Sequence, residues 1–109
     1  NDSFFAIRDN FPVSKYHTLL IPKRHVTDIF QLYGDETLSL FRLLQRQKMV
    51  LKDADSTITG FNVGFNSGYD AGQTIEHAHV HLIPRRKDDV DDPIGGIRNV
   101  FPGKGNYKL

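Results

Sequence analysis

The sequence predicts an α+β fold in which an antiparallel sheet packs against one long and one short helix. Short apolar runs with a period of two, or with turn residues at their ends, are typical of strands. One longer segment carries apolar residues at helical spacing. The chain has 109 residues and shows no internal repeat, so it is expected to form one domain with one core.

Two strands are expected near the amino terminus. Residues 4–8 are apolar and aromatic and are followed by turn residues at positions 9–12. Phe4 and Phe5 are expected to pack in the core, with contact to a ligand as the alternative. Residues 17–21 form a second apolar run, which Pro22 ends. Because the connection between the two runs is short, an antiparallel pair is expected.

Two helices and a third strand follow. His25 is interpreted as a solvated surface residue. Residues 26–32 are predicted to form a short helical turn capped by Thr27 or Asp28. The long helix is predicted over residues 35–53, where leucines and Phe41 form an apolar face. The opposite, basic face is interpreted as a solvated surface. Residues 61–66 alternate as a strand, and the Gly-rich residues after them form a loop.

The most informative stretch is residues 73–86, where three histidines occur at every second position. A period of two indicates a strand, whose successive side chains leave by opposite faces. His77, His79 and His81 would therefore line one face. The residues between them, Ala78 and Val80, would point into the core.

A row of three imidazoles admits several interpretations. The α-carbons of His77 and His81 would lie about 13 Å apart, whereas zinc–nitrogen bonds are only about 2.0–2.1 Å long. One metal therefore cannot easily take all three, although a neighbouring pair could bind a metal with a ligand from elsewhere. A solvated strand face is a further alternative. We favour catalysis, because a neutral imidazole is nucleophilic near pH 7 and its neighbours can donate hydrogen bonds to an anion.

The run at residues 77–83 matches, at every position, the signature His-φ-His-φ-His-φ-φ, in which φ is apolar. On these residues the chain resembles the histidine triad (HIT) family. Residues 72–74 before the run, and Pro84 and Arg85 after it, resemble in particular the fragile-histidine-triad and diadenosine polyphosphate hydrolase branches. The resemblance spans most of the chain.

The resemblance implies a sheet of about five strands and a homodimer, with the long helix and the C-terminal tail as candidate contacts. Residues 1–87 are interpreted as a HIT-like catalytic domain, and residues 88–109 as an extended tail of the same domain. Some relatives carry a cysteine-containing zinc site before the domain, and this chain begins where such a segment would end.

The resemblance also implies a nucleotidyl hydrolase or transferase that acts at the α-phosphate of a nucleotide conjugate, such as diadenosine tetraphosphate. The middle histidine, His79, would attack and form a nucleotidyl-histidine intermediate, with His77 and His81 beside it. Asp9 would bind the ribose hydroxyls, and His17 matches a position that the family places beside the triad. The remaining predicted substrate-binding residues are Asn66, Gly72, Gln73 and Thr74, of which the last three lie in a loop suited to hold a phosphate.

Two alternatives stay open within the nucleotide-binding class: a nucleoside phosphoramidate hydrolase and a non-catalytic nucleotide-binding module. No cofactor or metal is expected on the protein itself, although Mg²⁺ could accompany a polyphosphate substrate. Retention of the complete triad favours catalysis, because binding alone does not need a nucleophile.

Composition narrows the choice of partners. The net charge of +1 argues against binding a nucleic-acid polymer. No segment reaches the ~20 apolar residues that span a bilayer, so no membrane is expected. The absence of cysteine is typical of a cytoplasmic protein, and that location is the expectation here.

Overall fold

The computed structural model describes residues 1–108, within which one sheet and one long helix confirm the predicted α+β fold. The sheet has four antiparallel strands in the order β1-β2-β4-β3. The elements are β1 (Phe4–Arg8), β2 (Thr18–Pro22), α1 (Gly34–Ala54), β3 (Ile58–Gly64) and β4 (Val80–Arg86), with short 3₁₀ helices at Ile29–Gln31, Tyr69–Ala71 and Gly96–Val100.

The described sheet has four strands where the family resemblance implied about five. These four correspond to the four runs that the residues themselves indicate. The last strand also starts later than the alternation suggests, at Val80, and its pairing with β2 ends at Leu20 and Val80. Proline has no N–H to continue a ladder, and Pro22 lies two residues beyond Leu20. The N–H of Ala78 instead donates to Val26 O, at 2.8 Å.

Helix α1 covers one face of the sheet and forms the core with it. The core cluster joins three leucines of the helix to apolar residues from all four strands: Phe4, Leu20, Leu40, Leu43, Leu51, Ile58, Val80 and Leu82. The expected core role of Phe4 is confirmed, whereas Phe5 is 41% exposed on the other face. That other face carries the histidine row. The core cluster, with its leucines from α1, lies on the opposite face.

Both helix starts are fixed by carboxylates. Asp28, one of the two predicted caps, accepts a hydrogen bond from Phe30 N at 3.0 Å and begins the short 3₁₀ helix. Glu36 is 5% exposed and accepts from Tyr33 N at the start of α1. It also forms an ion pair with Arg24, which lowers the pKa of the carboxyl and ties the β2–α1 connection to the helix.

The residues after β4 fold back on themselves and lie near β3. Gly95 adopts φ +88°, and a Cβ at this position would collide with the carbonyl of Gly105. The Asn106 side chain donates to Asp92 at 2.9 Å, and Arg98 Nε donates to Gly105 O at 3.2 Å. Among the described residues, no helix combines the length and the apolar character that crossing a membrane requires.

Candidate active site

The three histidines lie in a row on the face opposite the core. His77, His79 and His81 are each half-buried, whereas Ala78 and Val80 are 2% exposed. The alternation predicted from the sequence is therefore present, although only His81 lies within β4. The rings of His79 and His81 are in contact, with centroids 5.1 Å apart.

His79 is held by the backbone beside it. Its Nδ1 lies 3.0 Å from the carbonyl oxygen of His77. A carbonyl oxygen can only accept, so Nδ1 of His79 carries the hydrogen and donates it. In a neutral imidazole the other nitrogen, Nε2, then keeps its lone pair. This is the tautomer that a nucleophile needs.

His77 is anchored by its other neighbours. Its Nε2 lies 2.9 Å from the carbonyl oxygen of Pro22, to which it donates. Its Nδ1 lies 3.1 Å from Nδ1 of His25, which must supply the hydrogen of that contact. The sequence suggested that His25 is a solvated surface residue. It is exposed, but it contacts the row, and its separation of 52 residues from His77 left no pattern that could reveal this.

His81 is held by His17, which the sequence placed beside the triad only by resemblance. His17 is 3% exposed, and its Nδ1 accepts from Val13 N at 3.2 Å. Its Nε2 therefore carries the hydrogen and donates to Nδ1 of His81 at 2.9 Å. His81 in turn keeps its own hydrogen on Nε2. The hydrogen bonds from Val13 N to His17 and from His17 to His81 thus leave Nε2 of His81 as a donor.

Both members of this pair are neutral near pH 7. Burial lowers the pKa of His17 below its usual value of 6.5, and the nearby Asp9 opposes this only in part. Burial also lowers the pKa of His81, and the neighbouring His79 and His17 lower it further. For His17 and His81, the neutral tautomers described above are therefore the forms that a substrate would meet.

A tight turn presents His17 and Asp9 to each other. Tyr16 adopts φ +72°, a left-handed conformation that is rare for an aromatic residue, directly before His17. The N–H of Asp9 donates to the carbonyl of His17 at 2.8 Å. Oδ2 of Asp9 lies 3.6 Å from Nε2 of His17, while Oδ1 accepts from Phe11 N. The predicted ribose-binding carboxylate therefore lies at the edge of the histidine cluster.

Asp9, His17 and His81 also bring three ligand atoms within 4.8 Å of one another, which is compatible with a metal ion by distance alone. The tautomer of His17 disfavours metal binding at this position. Because Nδ1 of His17 accepts from Val13, its Nε2 carries a hydrogen and offers no lone pair to a cation. Metal binding would require this backbone hydrogen bond to break.

An apolar shelf adjoins the row on the β1 and β2 side. Ile7 pairs with Leu19, and Leu19 pairs with His81, so these side chains share one face. Phe5 pairs with Ile21 two residues further along the same strands. Ile7 is 44% exposed and Phe5 41%. Asp9 follows the end of β1, so the shelf leads from apolar side chains to a carboxylate.

The predicted phosphate-binding loop uses some of its donors internally. The N–H of Gly72 donates to Tyr69 O at 2.9 Å, and that of Gln73 donates to Gly68 O at 3.1 Å. The amide of Gln73 donates to Thr27 O and accepts from Gly68 N. In this structure Gly72 and Gln73 therefore hold the loop together, and contact with a phosphate stays a prediction.

Asn66 and Thr74 are both exposed but line different cavities. Asn66 lines a cavity together with His81. Thr74 lines a separate cavity with Gln73 and Asp28. Four residues in or before this loop were predicted to bind substrate. Of these, Asn66 lines a cavity together with a histidine of the row.

Comparison with known proteins agrees with this geometry. The chain matches the model of the HIT domain family over residues 1–88. It is 37% identical over 81 residues to the asymmetrical bis(5'-nucleosyl)-tetraphosphatase of Schizosaccharomyces pombe, covering 74% of this chain and 44% of that protein. It is 35% identical over 88 residues to the bis(5'-adenosyl)-triphosphatase of Dictyostelium discoideum, covering 81% of this chain and 58% of that protein.

Among solved structures, the crystal structure of the Caenorhabditis elegans NitFhit protein superposes with a TM-score of 0.77 at 32% identity. The match covers 84% of this chain and 22% of that one. The chain thus spans about half the length of the two curated relatives and a smaller part of this third protein.

Proposed function

This chain belongs to the HIT domain family, and from that premise we propose that it is a nucleotidyl hydrolase or transferase acting at the α-phosphate of a nucleotide conjugate. The observation that carries the proposal is the hydrogen bond from Nδ1 of His79 to the carbonyl of His77. It leaves Nε2 with a lone pair, on a ring that lies between two other imidazoles.

In the first step, Nε2 of His79 attacks the α-phosphorus and forms a nitrogen–phosphorus bond. The bond from phosphorus to the bridging atom breaks, and its electron pair leaves with the departing group. Nε2–H of His81 donates a hydrogen bond to this atom as negative charge develops on it. Such a donor, already fixed by His17, stabilises the transition state without reorganising.

In the second step, water attacks the same phosphorus. The nitrogen–phosphorus bond breaks, its electron pair returns to His79, and the proton of the water passes to solvent. The product is a nucleoside monophosphate. Dividing one displacement into two easier ones is the general advantage of covalent catalysis.

The nucleoside that is retained lies on the apolar shelf. A purine or pyrimidine ring would cover Ile7 and Phe5, which are both more than two-fifths exposed. Asp9 would then accept hydrogen bonds from the ribose hydroxyls at the end of β1. Mg²⁺, where it takes part, would arrive with the polyphosphate of the substrate.

Dinucleoside polyphosphates are the proposed substrate class, because the two relatives described above act on such compounds. The test is to incubate the protein with diadenosine tetraphosphate and with adenosine phosphoramidate and to measure release of AMP. Rapid acid-free quenching and mass spectrometry would then detect a nucleotidyl group on the protein. A protein that binds AMP but never releases it from either substrate would instead be a binding module.

We also propose a homodimer. A groove of about 530 Å³ runs between α1 and the edge strand β3, with Phe41, Phe61 and Val63 in its lining. Phe41 is 61% exposed and Val63 43%. A second copy could pair its β3 with this edge and bury these side chains. Light scattering would give the mass in solution, and Val63→Lys is expected to yield monomer.

A further inference from the structure

A cleft opens on the β3 side of His81, across the row from the apolar shelf. Its inner part has a volume of about 340 Å³ and includes His81 in its lining. Its outer part has a volume of about 930 Å³ and extends along the loop to Gly72. Phe65, Asn66 and Val100 line both parts, so the two parts adjoin each other.

The cleft starts where β3 lacks a side chain. Gly64 pairs with His81 across the sheet, so a larger residue there would project beside the imidazole. A Cβ on Gly64 would lie 3.9 Å from Cδ1 of Ile97. Ile97 therefore lies over Gly64 and bounds the inner part of the cleft beside His81.

The wall formed by residues 96–101 is held in place by its own contacts. Gly95 lies so close to Gly105 that no side chain fits between them. The guanidinium of Arg98 lies 5.3 Å from the centre of the Tyr107 ring. Together with the bond between Asn106 and Asp92, these contacts close residues 92–107 into a loop. The tail residues that line the cleft are thus held in place by contacts within the tail.

Aromatic rings dominate the outer part of the cleft. Phe65 packs edge-on against Phe30, with ring centroids 5.2 Å apart, which fixes its orientation. Tyr69 is 85% exposed and Phe101 73%, and both line the cleft. Within residues 1–108, the lining of this outer part includes one carboxylate, Asp70, and neither lysine nor arginine. Its chemistry suits a planar aromatic ring better than additional phosphates.

We infer that Ile97, Val100 and Phe101 form the wall of a leaving-group pocket that binds the aromatic base of a second nucleoside. The inference rests on the proposed function, in which the departing group leaves on the His81 side of the phosphorus. Stacking of a base on an aromatic side chain is tolerant of base identity. The pocket thereby favours dinucleoside conjugates over conjugates whose leaving group is as small as ammonia.

The test compares two substrates that share the adenylyl group but differ in the leaving group. Diadenosine tetraphosphate reaches the cleft, whereas the ammonia released from adenosine phosphoramidate does not. Val100→Asp introduces a charge at the centre of the wall and is expected to lower the ratio of kcat/KM for these substrates about tenfold. The matched control is Val90→Asp, in the same tail but outside both parts of the cleft, which should leave the ratio unchanged.

Gly95→Ala supplies an independent variant. It should displace the wall without adding charge and lower the same ratio. An unchanged ratio in both Val100→Asp and Gly95→Ala would overturn the inference while leaving the proposed function standing. A change of oligomeric state in Val100→Asp with an unchanged ratio would overturn it too. If the parent protein releases AMP from neither substrate, it is the proposed function that fails.

Discussion

Nε2 of His17 lies 2.9 Å from Nδ1 of His81, although 64 residues separate the two in sequence. Val13 N donates to the far side of the His17 ring, so the hydrogen between the two imidazoles belongs to His17. This contact leaves the hydrogen of neutral His81 on Nε2, the atom that the proposed mechanism uses as a donor.

Replacement of His17 should change the tautomer of His81. In His17→Leu the donor to Nδ1 is lost, and a mixture of tautomers is expected, with kcat falling about tenfold. Nitrogen-15 NMR of the imidazoles reports the tautomer directly. His17→Gln is the matched control, because its amide N–H can still donate to Nδ1. An unaltered His81 spectrum in the leucine variant would contradict this positioning role.

Replacement of the nucleophile should abolish turnover but not binding. His79→Asn removes the lone pair at Nε2, so AMP release should fall by roughly 10³-fold or more. Calorimetric binding of AMP should change little, because the shelf and Asp9 are intact. Met49→Ala is the control, because this side chain is exposed on α1 and takes no part in the proposed reaction. Equal turnover in parent and His79→Asn would remove His79 from the role.

Asp9 should discriminate ribose from its deoxygenated analogues. Asp9→Ala is expected to raise KM for an adenosine substrate about tenfold, because hydrogen bonds to a charged group are lost. The same change should cost nothing further with the 2',3'-dideoxy analogue, which has no hydroxyls to bind. Asp9→Asn keeps the turn contact with Phe11 and should lose less. Equal losses on both substrates would indicate a role in the turn alone.

The buried imidazole pair should make stability depend on pH. The pKa of His81 is below 6.5 in the folded state, so the unfolded state takes up the proton more readily. The free energy of unfolding should therefore be highest above about pH 6.5 and fall as the pH is lowered through that value. Urea denaturation from about pH 7.5 to pH 5.5 measures this. Asp55 does not interfere, because its pKa of about 2 lies far below this range.

The matched variant for that measurement is His81→Gln. It removes the group whose protonation opposes folding, so the slope of stability against pH should decrease. Identical slopes for parent and variant would show that the dependence arises elsewhere.

The core prediction concerns α1. Leu51 has no exposed surface, and Leu51→Ala should lower the free energy of unfolding by about 2–5 kcal/mol. Met49 lies two residues earlier in the helix and is 64% exposed. Met49→Ala should change stability by less than about 0.5 kcal/mol. Urea denaturation of both variants at pH 7 measures the two changes in the free energy of unfolding. Similar changes in both variants would contradict the described core.

Local patterns predicted the elements of this fold well. The limits of β1 agree with its apolar run, and α1 begins and ends one residue outside the predicted limits. The alternation around the histidines correctly separated the core face from the open face. These features depend on neighbours in sequence, which is why periodicity reveals them.

Local sequence patterns could not predict contacts between residues that are far apart in the sequence. Nothing near His25 indicates that it meets His77, and nothing near Gln73 indicates that its amide binds Thr27. The late start of β4 likewise depends on Pro22, which lies on a different strand. The resemblance suggested that His17 lies near the triad, but the direction of its hydrogen bond required Val13 to be placed.

The reactive histidines lie within residues 1–88, which match the family model, whereas the wall residues Ile97, Val100 and Phe101 follow that segment. If the proposed mechanism and the inferred pocket are right, reaction and selectivity depend on separate parts of the chain. A library randomised at those three positions could yield a set of enzymes that share one mechanism and differ in the conjugates they cleave. In evolution, the same division would let a lineage acquire new substrates without passing through an inactive ancestor.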